Sequence, residues 1–199
     1  MSSKNFRSES DPLDRYPTPV KLVRAGFDML CTVTDAVPSV GYMLEPGCGP
    51  GTFCHVAKNY CHGLKANPMG VDLDFAWAPS LSSYTRLEKD FLKWNPKRRF
   101  DLITTNPPFS IAEEFIRHSR DLLNPVRGIM LYLCRIGLAG SLKRIPMWKE
   151  INLLEVWMIR PRPSFMLTGG SDSSEYAFFL MDAQTEHCSQ DVRFRWVDW

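Results

Sequence analysis

The stretch EPGCGPGTF, Glu45 to Phe53, decides how we interpret the fold of this chain. It follows a short apolar run, VGYML (40–44), and it precedes a segment whose apolar residues fall on one helical face, namely Phe53, Val56, Ala57 and Tyr60. Glycine lacks a Cβ, so such a loop can adopt positive φ and let a ligand lie against bare backbone. The pattern predicts a strand, a glycine loop and a helix, which in doubly wound sheets places a ligand at the loop.

The rest of the chain continues this alternation of strands and helices. An amphipathic helix is predicted after Thr18-Pro19, and a second is predicted to start at a capping box of Ser110 and Glu113. The buried stripe of that second helix is predicted to be Ile111, Phe115, Ile116, Leu122 and Leu123. Further strands are predicted at 69–74, 85–91, 100–106, 128–135, 153–159 and 175–181, with an edge strand at 192–199. Apolar strands alternating with helices predict an α/β fold, a mostly parallel sheet with helices on both faces.

Length and composition limit the classes of protein to consider. The chain has 199 residues, 44% of them apolar, which suits one domain at 16–199 after a flexible tail at 1–15. No apolar run is long enough to span a membrane, and the first residues do not form a secretory signal, so we expect a cytoplasmic protein. Six cysteines are then expected to be free thiols. Cys54-His55 and Cys61-His62 form no CxxC pair, and we expect no metal site.

The formal charge of +2 does not by itself indicate a polyanionic partner. Basic residues do cluster locally, and the candidates for contact with nucleic-acid phosphates are Lys143, Arg144, Arg160 and Arg162. Solvated loops collect such residues as well, so the sequence leaves both interpretations open.

Acidic residues end the second and third predicted strands. Asp72 is placed to accept hydrogen bonds from both hydroxyls of a ribose. Asp90 could accept an exocyclic amine, and the ring of Phe91 could lie on a purine. Together with the glycine loop, these strand ends predict an adenosine pocket. The loop is not a dinucleotide fingerprint, because its third glycine comes one residue early, and no GK[ST] follows it.

The stretch TTNPPFS (104–110) ends the fourth predicted strand. Pro108 restricts Pro107 to extended conformations and so leaves the carbonyl of Pro107 fixed. The side-chain oxygen of Asn106 is a second neutral acceptor, and Phe109 offers a flat apolar face. Two converging acceptors suit an amine on a planar ring, because accepting both protons directs the nitrogen lone pair outward. The pattern predicts that this amine attacks a sulfonium methyl held in line.

With these motifs in place, the sequence resembles the class I S-adenosylmethionine-dependent methyltransferases. The resemblance is to DNA adenine N6-methyltransferases of the small phage and prophage type, over residues 16–181. It rests on EPGCGPGTF, VDLD, KDF and TNPPFS in the family's order, and on YPTP (16–19), CRIGLAGSLKR (134–144) and RPRPSF (160–165). It implies S-adenosylmethionine as cofactor and a Rossmann-like sheet of seven strands in the order 3-2-1-4-5-7-6, the last antiparallel.

The resemblance also implies roles for individual residues. Glu45, Gly47 and Gly49 would contact the methionine part of the cofactor, aided by the segment that holds Tyr16, Thr18 and Pro19. Asp72 would bind the ribose, Leu73 would lie beside the adenine, and Asp90 and Phe91 would contact it, with Asn106 also bordering the cofactor. The catalytic motif would be Asn106, Pro107, Pro108 and Phe109. Target selection would fall to the insertions at 136–150 and 160–174, because the chain is too short for a separate recognition domain.

Other functions stay open at the level of sequence. The substrate could be RNA, methylated at adenine N6 or guanine N2, because the NPPF motif also occurs in RNA enzymes. The chain could also be a catalytically silent S-adenosylmethionine-binding protein, although the intact motif argues against this. The glycine spacing makes a nicotinamide dehydrogenase improbable.

Overall fold

The computed structural model describes residues 16–33, 41–59, 67–76, 80–82, 84–165, 174–182 and 191–199. Its strands are β1 (Tyr42–Pro46), β2 (Asn67–Asp72), β3 (Thr85–Glu88), β4 (Leu102–Thr105), β5 (Ile129–Arg135), β6 (Asn152–Arg160), β7 (Tyr176–Asp182) and β8 (Arg193–Asp198). Its helices are α1 (Val20–Val33), α2 (Thr52–Asn59), α3 (Ala112–Leu122), α4 (Gly137–Gly140) and α5 (Ile145–Glu150). Short 3₁₀ turns lie at Phe91–Lys93, Phe109–Ile111 and Leu142–Arg144.

The strands form one sheet in the order β3-β2-β1-β4-β5-β7-β6-β8. β7 runs antiparallel to both of its neighbours, and the other strand pairs are parallel. The predicted order of the first seven strands is therefore confirmed, and β8 is the predicted edge strand. Because the strand order reverses between β1 and β4, their carboxyl ends border the crevice in which doubly wound folds bind ligands.

Apolar side chains cover both faces of the sheet, as continuous apolar strands require. Adjacent residues of β7 point to opposite faces, so Phe178 packs under α1 while Phe179 packs on the side of α3. α1 approaches the sheet closely at Gly26, where an added Cβ would lie 2.6 Å from Cζ of Phe178. Apolar packing on both faces of the sheet fixes the positions of β1 and β4, whose carboxyl ends border the crevice.

The predicted capping box was wrong. α3 begins at Ala112 with Ile111 at its N-cap and no side-chain capping bond, and the Glu113 carboxylate instead binds Arg117 Nε at 3.1 Å. The reason is the exit from β4: the chain leaves Pro108 extended and makes a 3₁₀ turn, closed by Ile111 N donating to Pro108 O at 3.2 Å, before the helix starts.

Several predictions fall outside the described residues. They concern the tail at 1–15, Tyr60 on the face of α2, the Cys61-His62 pair, and most of the insertion at 160–174. Cys31, Cys48, Cys54 and Cys134 are free thiols, as expected. None of the described helices is long and apolar enough to cross a bilayer.

Candidate active site

A pocket opens at the carboxyl ends of β1, β2 and β4, at the reversal of strand order. Every residue predicted to contact the cofactor lines it except Pro19, whose carbonyl accepts a helix bond from Val23 N. The predicted residues in the wall are Tyr16, Thr18, Glu45, Gly47, Gly49, Asp72, Leu73, Asp90, Phe91 and Asn106. Segments from distant parts of the chain thus meet at one site, and their individual roles stay predictions.

The glycine loop presents backbone to this pocket. Gly47, Gly49 and Gly51 have φ of 62°, 48° and 76°. The loop is anchored to β2, because Gly47 N and Cys48 N both donate to Val71 O, at 2.7 and 3.2 Å. An added Cβ on Gly51 would lie 2.0 Å from Oη of Tyr84, so the loop is also tightly packed from behind. This explains why glycines are required here.

Glu45 is buried at the end of β1 and joins that strand to α2. Its carboxylate accepts hydrogen bonds from Phe53 N at 3.2 Å and from Cys54 N at 2.8 Å, in the first turn of α2. Burial raises the pKa of Glu45 to about 8, against the opposing effect of these hydrogen bonds. Glu45 therefore holds a proton over much of the neutral range in the free protein.

Asp72 joins the end of β2 to the glycine loop. Its Oδ2 accepts a hydrogen bond from Gly49 N at 2.7 Å, and its Oδ1 accepts one from Asp74 N at 3.2 Å. These bonds fix the carboxylate at the pocket wall. Each oxygen keeps a second lone pair, which a ligand hydroxyl could use.

The sequence predicted that Asp90 ends a strand. In the structure it instead caps the 3₁₀ turn Phe91–Lys93. Its Oδ1 accepts a hydrogen bond from Leu92 N at 3.1 Å, and Lys93 Nζ lies 2.8 Å from Oδ2. The hydrogen bond from Lys93 is the main reason that the pKa of Asp90 is lowered. Phe91 turns inward and packs on Phe115, with ring centroids 4.9 Å apart. The turn places both residues in the pocket wall.

Asn106 is held by its amide nitrogen. Nδ2 donates to Thr18 Oγ1 at 3.1 Å and to the carbonyl of Tyr16 at 3.4 Å. A backbone carbonyl can only accept, so the amide NH₂ must face the 16–18 segment and Oδ1 must point the other way. Oδ1 is buried and accepts no hydrogen bond from the described residues. Asn106 thus presents a fixed, unused acceptor at the pocket wall.

The two prolines that follow give this acceptor a rigid setting. Thr105 Oγ1 donates to Pro46 O at 2.6 Å and ties the end of β4 to the end of β1. Pro107 is buried, and its carbonyl accepts no hydrogen bond within the described part of the chain. Pro108 lines the pocket next to Asn106. The motif therefore carries two acceptors, on consecutive residues, that have no partner among the described residues.

Phe109 lies outside the first pocket and borders a second one. Its ring stacks on Tyr16, with centroids 5.9 Å apart and planes at 19°, and it also contacts Phe165 and Tyr176. The guanidinium of Arg135 lies 4.8 Å from its centroid. Much of the ring is thus already covered in the free protein, which the sequence did not predict.

Of the four basic residues predicted to contact nucleic acid, Lys143 and Arg144 follow β5, Arg160 is the last residue of β6, and Arg162 follows it. Both strands are antiparallel to β7, so their carboxyl ends lie at the same edge of the sheet as Asn106. Arg160 is paired with Asp198, and Arg162 Nε lies 3.3 Å from Glu175. Lys143 is exposed, and Arg144 lies 3.8 Å from Glu113. Their position at this edge suits a nucleic-acid surface. The acidic partners of Arg160 and Arg162, however, reduce the net positive charge of that surface.

Sequence reasoning missed part of the pocket wall, notably Lys89, Ile111 and Phe115. Ile111 and Phe115 belonged to a predicted buried stripe, and periodicity alone does not show that the start of such a stripe lies beneath a ligand pocket. The signal that could have located them is the position of α3, directly after the NPPF motif.

No protein-family model matches the chain. A Type II methyltransferase of Thermus thermophilus is 34% identical to it over 118 residues, which is 59% of this chain and 26% of that relative. The chain therefore spans about a quarter of the length of this curated relative. This relative is a methyltransferase, which is the class of enzyme that the motifs predict.

Comparison with solved structures shows which known fold this chain has. The methyltransferase subunit of a type I restriction-modification system from Streptococcus thermophilus has a TM-score of 0.64 at 14% identity, over 92% of this chain and 47% of that one. The chain has the class I methyltransferase fold. A Pyrococcus horikoshii protein assigned as an RNA methyltransferase matches this fold equally well, with a TM-score of 0.64 at 12% identity over 86% of this chain and 87% of that one. The methyltransferase fold alone does not separate DNA from RNA.

Proposed function

We propose that this protein transfers a methyl group from S-adenosylmethionine to the exocyclic N6 amine of adenine in DNA. The observation that carries the proposal is Oδ1 of Asn106, a buried acceptor with no hydrogen bond from the described residues; the carbonyl of the next residue, Pro107, accepts none within the described part of the chain either. An unsatisfied buried acceptor costs free energy, roughly 1–3 kcal/mol, and such a group is accounted for if a ligand supplies its donor. An amine on a planar ring supplies two such N–H donors.

The first pocket fits S-adenosylmethionine. The positive charge of that cofactor suits a wall that contains the carboxylates of Asp72 and Asp90, and its ribose hydroxyls suit the fixed carboxylate of Asp72. The bare backbone of the glycine loop lets a ligand approach closely. When bound, the cofactor supplies a methyl group on positively charged sulfur. The product would be S-adenosyl-L-homocysteine.

Asn106 and Pro107 would then act on the target amine. Their oxygens accept its two N–H bonds, which draws the nitrogen lone pair out of conjugation with the ring and directs it toward the first pocket. The lone pair would then face the methyl group that the bound cofactor would supply, and after the transfer the nitrogen would lose its extra proton to water. Neutral acceptors suit such a transfer, because the cofactor would lose its positive charge as the methyl group leaves. The hydrogen bond from Thr18 keeps Asn106 in position.

The choice of adenine in DNA as the substrate rests on sequence similarity, because the fold does not distinguish it from other substrates that carry an amine. The motif and loop sequences resemble DNA adenine methyltransferases, and the relative at 34% identity is a Type II methyltransferase. In a duplex the target base would have to be flipped out to reach Asn106.

A second candidate is an RNA methyltransferase acting on adenine N6 or guanine N2. It is favoured by the chemistry of the site, because two neutral acceptors recognise an amine on a planar ring and not the sugar that carries it. A third candidate, of another class, is a protein that binds S-adenosylmethionine without turnover.

Incubating the protein with S-adenosylmethionine and random-sequence DNA or RNA, single- or double-stranded, separates the candidates. Product nucleosides are identified by mass spectrometry. The proposal expects N6-methyldeoxyadenosine from DNA. Methylated ribonucleosides alone would establish the second candidate, and cofactor binding without any methylated nucleoside would establish the third.

A further inference from the structure

The segment between β5 and β6 holds an apolar side chain in the solvent. Leu142 is 83% exposed, and Ile145, further along the same segment, is 45% exposed. A single exposed leucine is common on protein surfaces and by itself indicates nothing. What distinguishes Leu142 is its position in the fold and the charge of its neighbours.

Buried residues hold this segment on both sides of Leu142. Leu138 in α4 is 5% exposed, and Met147 in α5 is fully buried. Between them, Leu142 begins the 3₁₀ turn that follows α4, and Arg144 N donates to Ser141 O across this turn at 2.9 Å. Leu142 is therefore presented to the solvent on an anchored turn.

This turn lies beside the catalytic motif. β5 is parallel to β4, so the segment leaves the sheet at the edge where Asn106 lies. Arg144, at the end of the same turn, lines the second pocket together with Phe109 and Ser110. The turn that carries Leu142 thus borders the NPPF motif, next to the path of a base that reaches Asn106.

Basic residues follow Leu142 directly. Lys143 is exposed. Arg144 has a buried Nε that donates no hydrogen bond to the described residues, and the Glu113 carboxylate, 3.8 Å from it, is already hydrogen-bonded to Arg117. An exposed apolar side chain next to cations suits a partner with an anionic backbone and an apolar interior. Duplex DNA has this arrangement, because its phosphates enclose stacked bases.

We propose that Leu142 enters the base stack of duplex DNA and occupies the space that the target adenine leaves when it flips toward Asn106; this inference rests on the proposed function. Flipping breaks a base pair and its stacking contacts, and an apolar side chain inserted between bases offsets part of this cost. Leu142 is exposed in the free protein, so its insertion removes apolar surface from water. Lys143, beside it, contacts the phosphate backbone.

The proposed role of Leu142 is confined to duplex DNA, because a base in a single strand has no base pair to leave. The test compares initial methylation rates on a synthetic duplex of mixed sequence and on each of its single strands, at saturating S-adenosylmethionine. Leu142→Ala is measured beside wild type and Val126→Ala. Val126 is the matched control, because it is 78% exposed and lies between α3 and β5, at the opposite edge of the sheet.

Leu142→Ala should lower the rate on the duplex about tenfold, as expected if much of a leucine side chain is buried in the stack, and should leave the single-strand rates within about twofold of wild type. Val126→Ala should leave both rates unchanged. A second duplex separates insertion from simple contact with DNA. In it an abasic site replaces the base opposite the adenine that wild type methylates, so no base pair has to be broken, and the defect of Leu142→Ala should shrink.

Four results would overturn the inference while the proposed function stood. They are a wild-type rate of Leu142→Ala on the duplex, an equal loss on duplex and single strands, an undiminished defect on the abasic duplex, and a wild-type protein that methylates single strands alone. A wild-type protein that methylates no DNA at all would overturn the proposed function, and the inference with it.

Discussion

Nδ2 of Asn106 donates a hydrogen bond to Oγ1 of Thr18 across 3.1 Å, which joins the strand-end motif to a segment 88 residues earlier in the chain. The bond leaves Oδ1 of Asn106 as the free acceptor. Thr18 is therefore a positioning residue for the proposed reaction, besides lining the cofactor pocket.

Replacing the Thr18 hydroxyl should slow catalysis without unfolding the protein. Thr18→Ala removes one anchor of Asn106, and a neutral hydrogen bond contributes about 1 kcal/mol, so kcat should fall roughly fivefold to tenfold. Thr18→Ser keeps the hydroxyl and should restore most of the rate. Equal kcat values for the two variants, measured at saturating cofactor and DNA, would show that the bond has no such role.

The buried carboxyl of Glu45 should make stability depend on pH. Its pKa is raised from 4.5 to about 8 in the folded state, so between these values the folded protein binds a proton that the unfolded chain has lost. The stability that depends on this proton is fully present below pH 4.5 and is lost as the pH rises toward 8, by about 1.4 kcal/mol per pH unit.

Glu45→Gln isolates this effect, because glutamine does not ionise. At low pH the variant should be the less stable protein, since its NH₂ group faces a backbone N–H, whereas both oxygens of the Glu45 carboxyl group accept hydrogen bonds. Urea unfolding across the pH range should show the difference between the two proteins shifting in favour of the variant as the pH rises. A difference that stays constant would mean that Glu45 ionises normally in the folded protein.

The close approach of α1 to the sheet gives a prediction about stability alone. Gly26→Ala places a methyl group 2.6 Å from the buried ring of Phe178, and overpacking of this kind costs about 1–3 kcal/mol. Gly137→Ala is the control, since an added Cβ on this helical glycine has no atom within 4 Å. Thermal unfolding should show a lower Tm for Gly26→Ala and an unchanged or higher Tm for Gly137→Ala. The same Tm shift in both variants would contradict the packing described for α1.

The architecture could be predicted because the central strands, such as β5 and β7, are continuous apolar runs that end in polar residues, and such runs specify a sheet covered on both faces. The site was predicted less completely. Asp90 was assigned to a strand end, but Lys93 and Leu92 hold it as the cap of a 3₁₀ turn, and hydrogen bonds this local are not visible in apolar periodicity. Phe109 was expected to present an open face, yet Tyr16 and Arg135 lie against it from distant parts of the chain. Contacts of that kind depend on topology and not on local spacing.

In the proposed reaction Asn106 acts on the amine and Asp72 on the cofactor, and one paired measurement tests this division of roles. Cofactor Kd by calorimetry and single-turnover methylation of DNA are measured for Asn106→Ala and Asp72→Ala. Asn106→Ala should keep its Kd within a few-fold of wild type and lose about 10²–10³ in rate, as expected for the loss of a preorganised acceptor, whereas Asp72→Ala should lose cofactor binding first. Lost cofactor affinity in Asn106→Ala with full methylation at saturating cofactor, and the reverse in Asp72→Ala, would contradict the assignment.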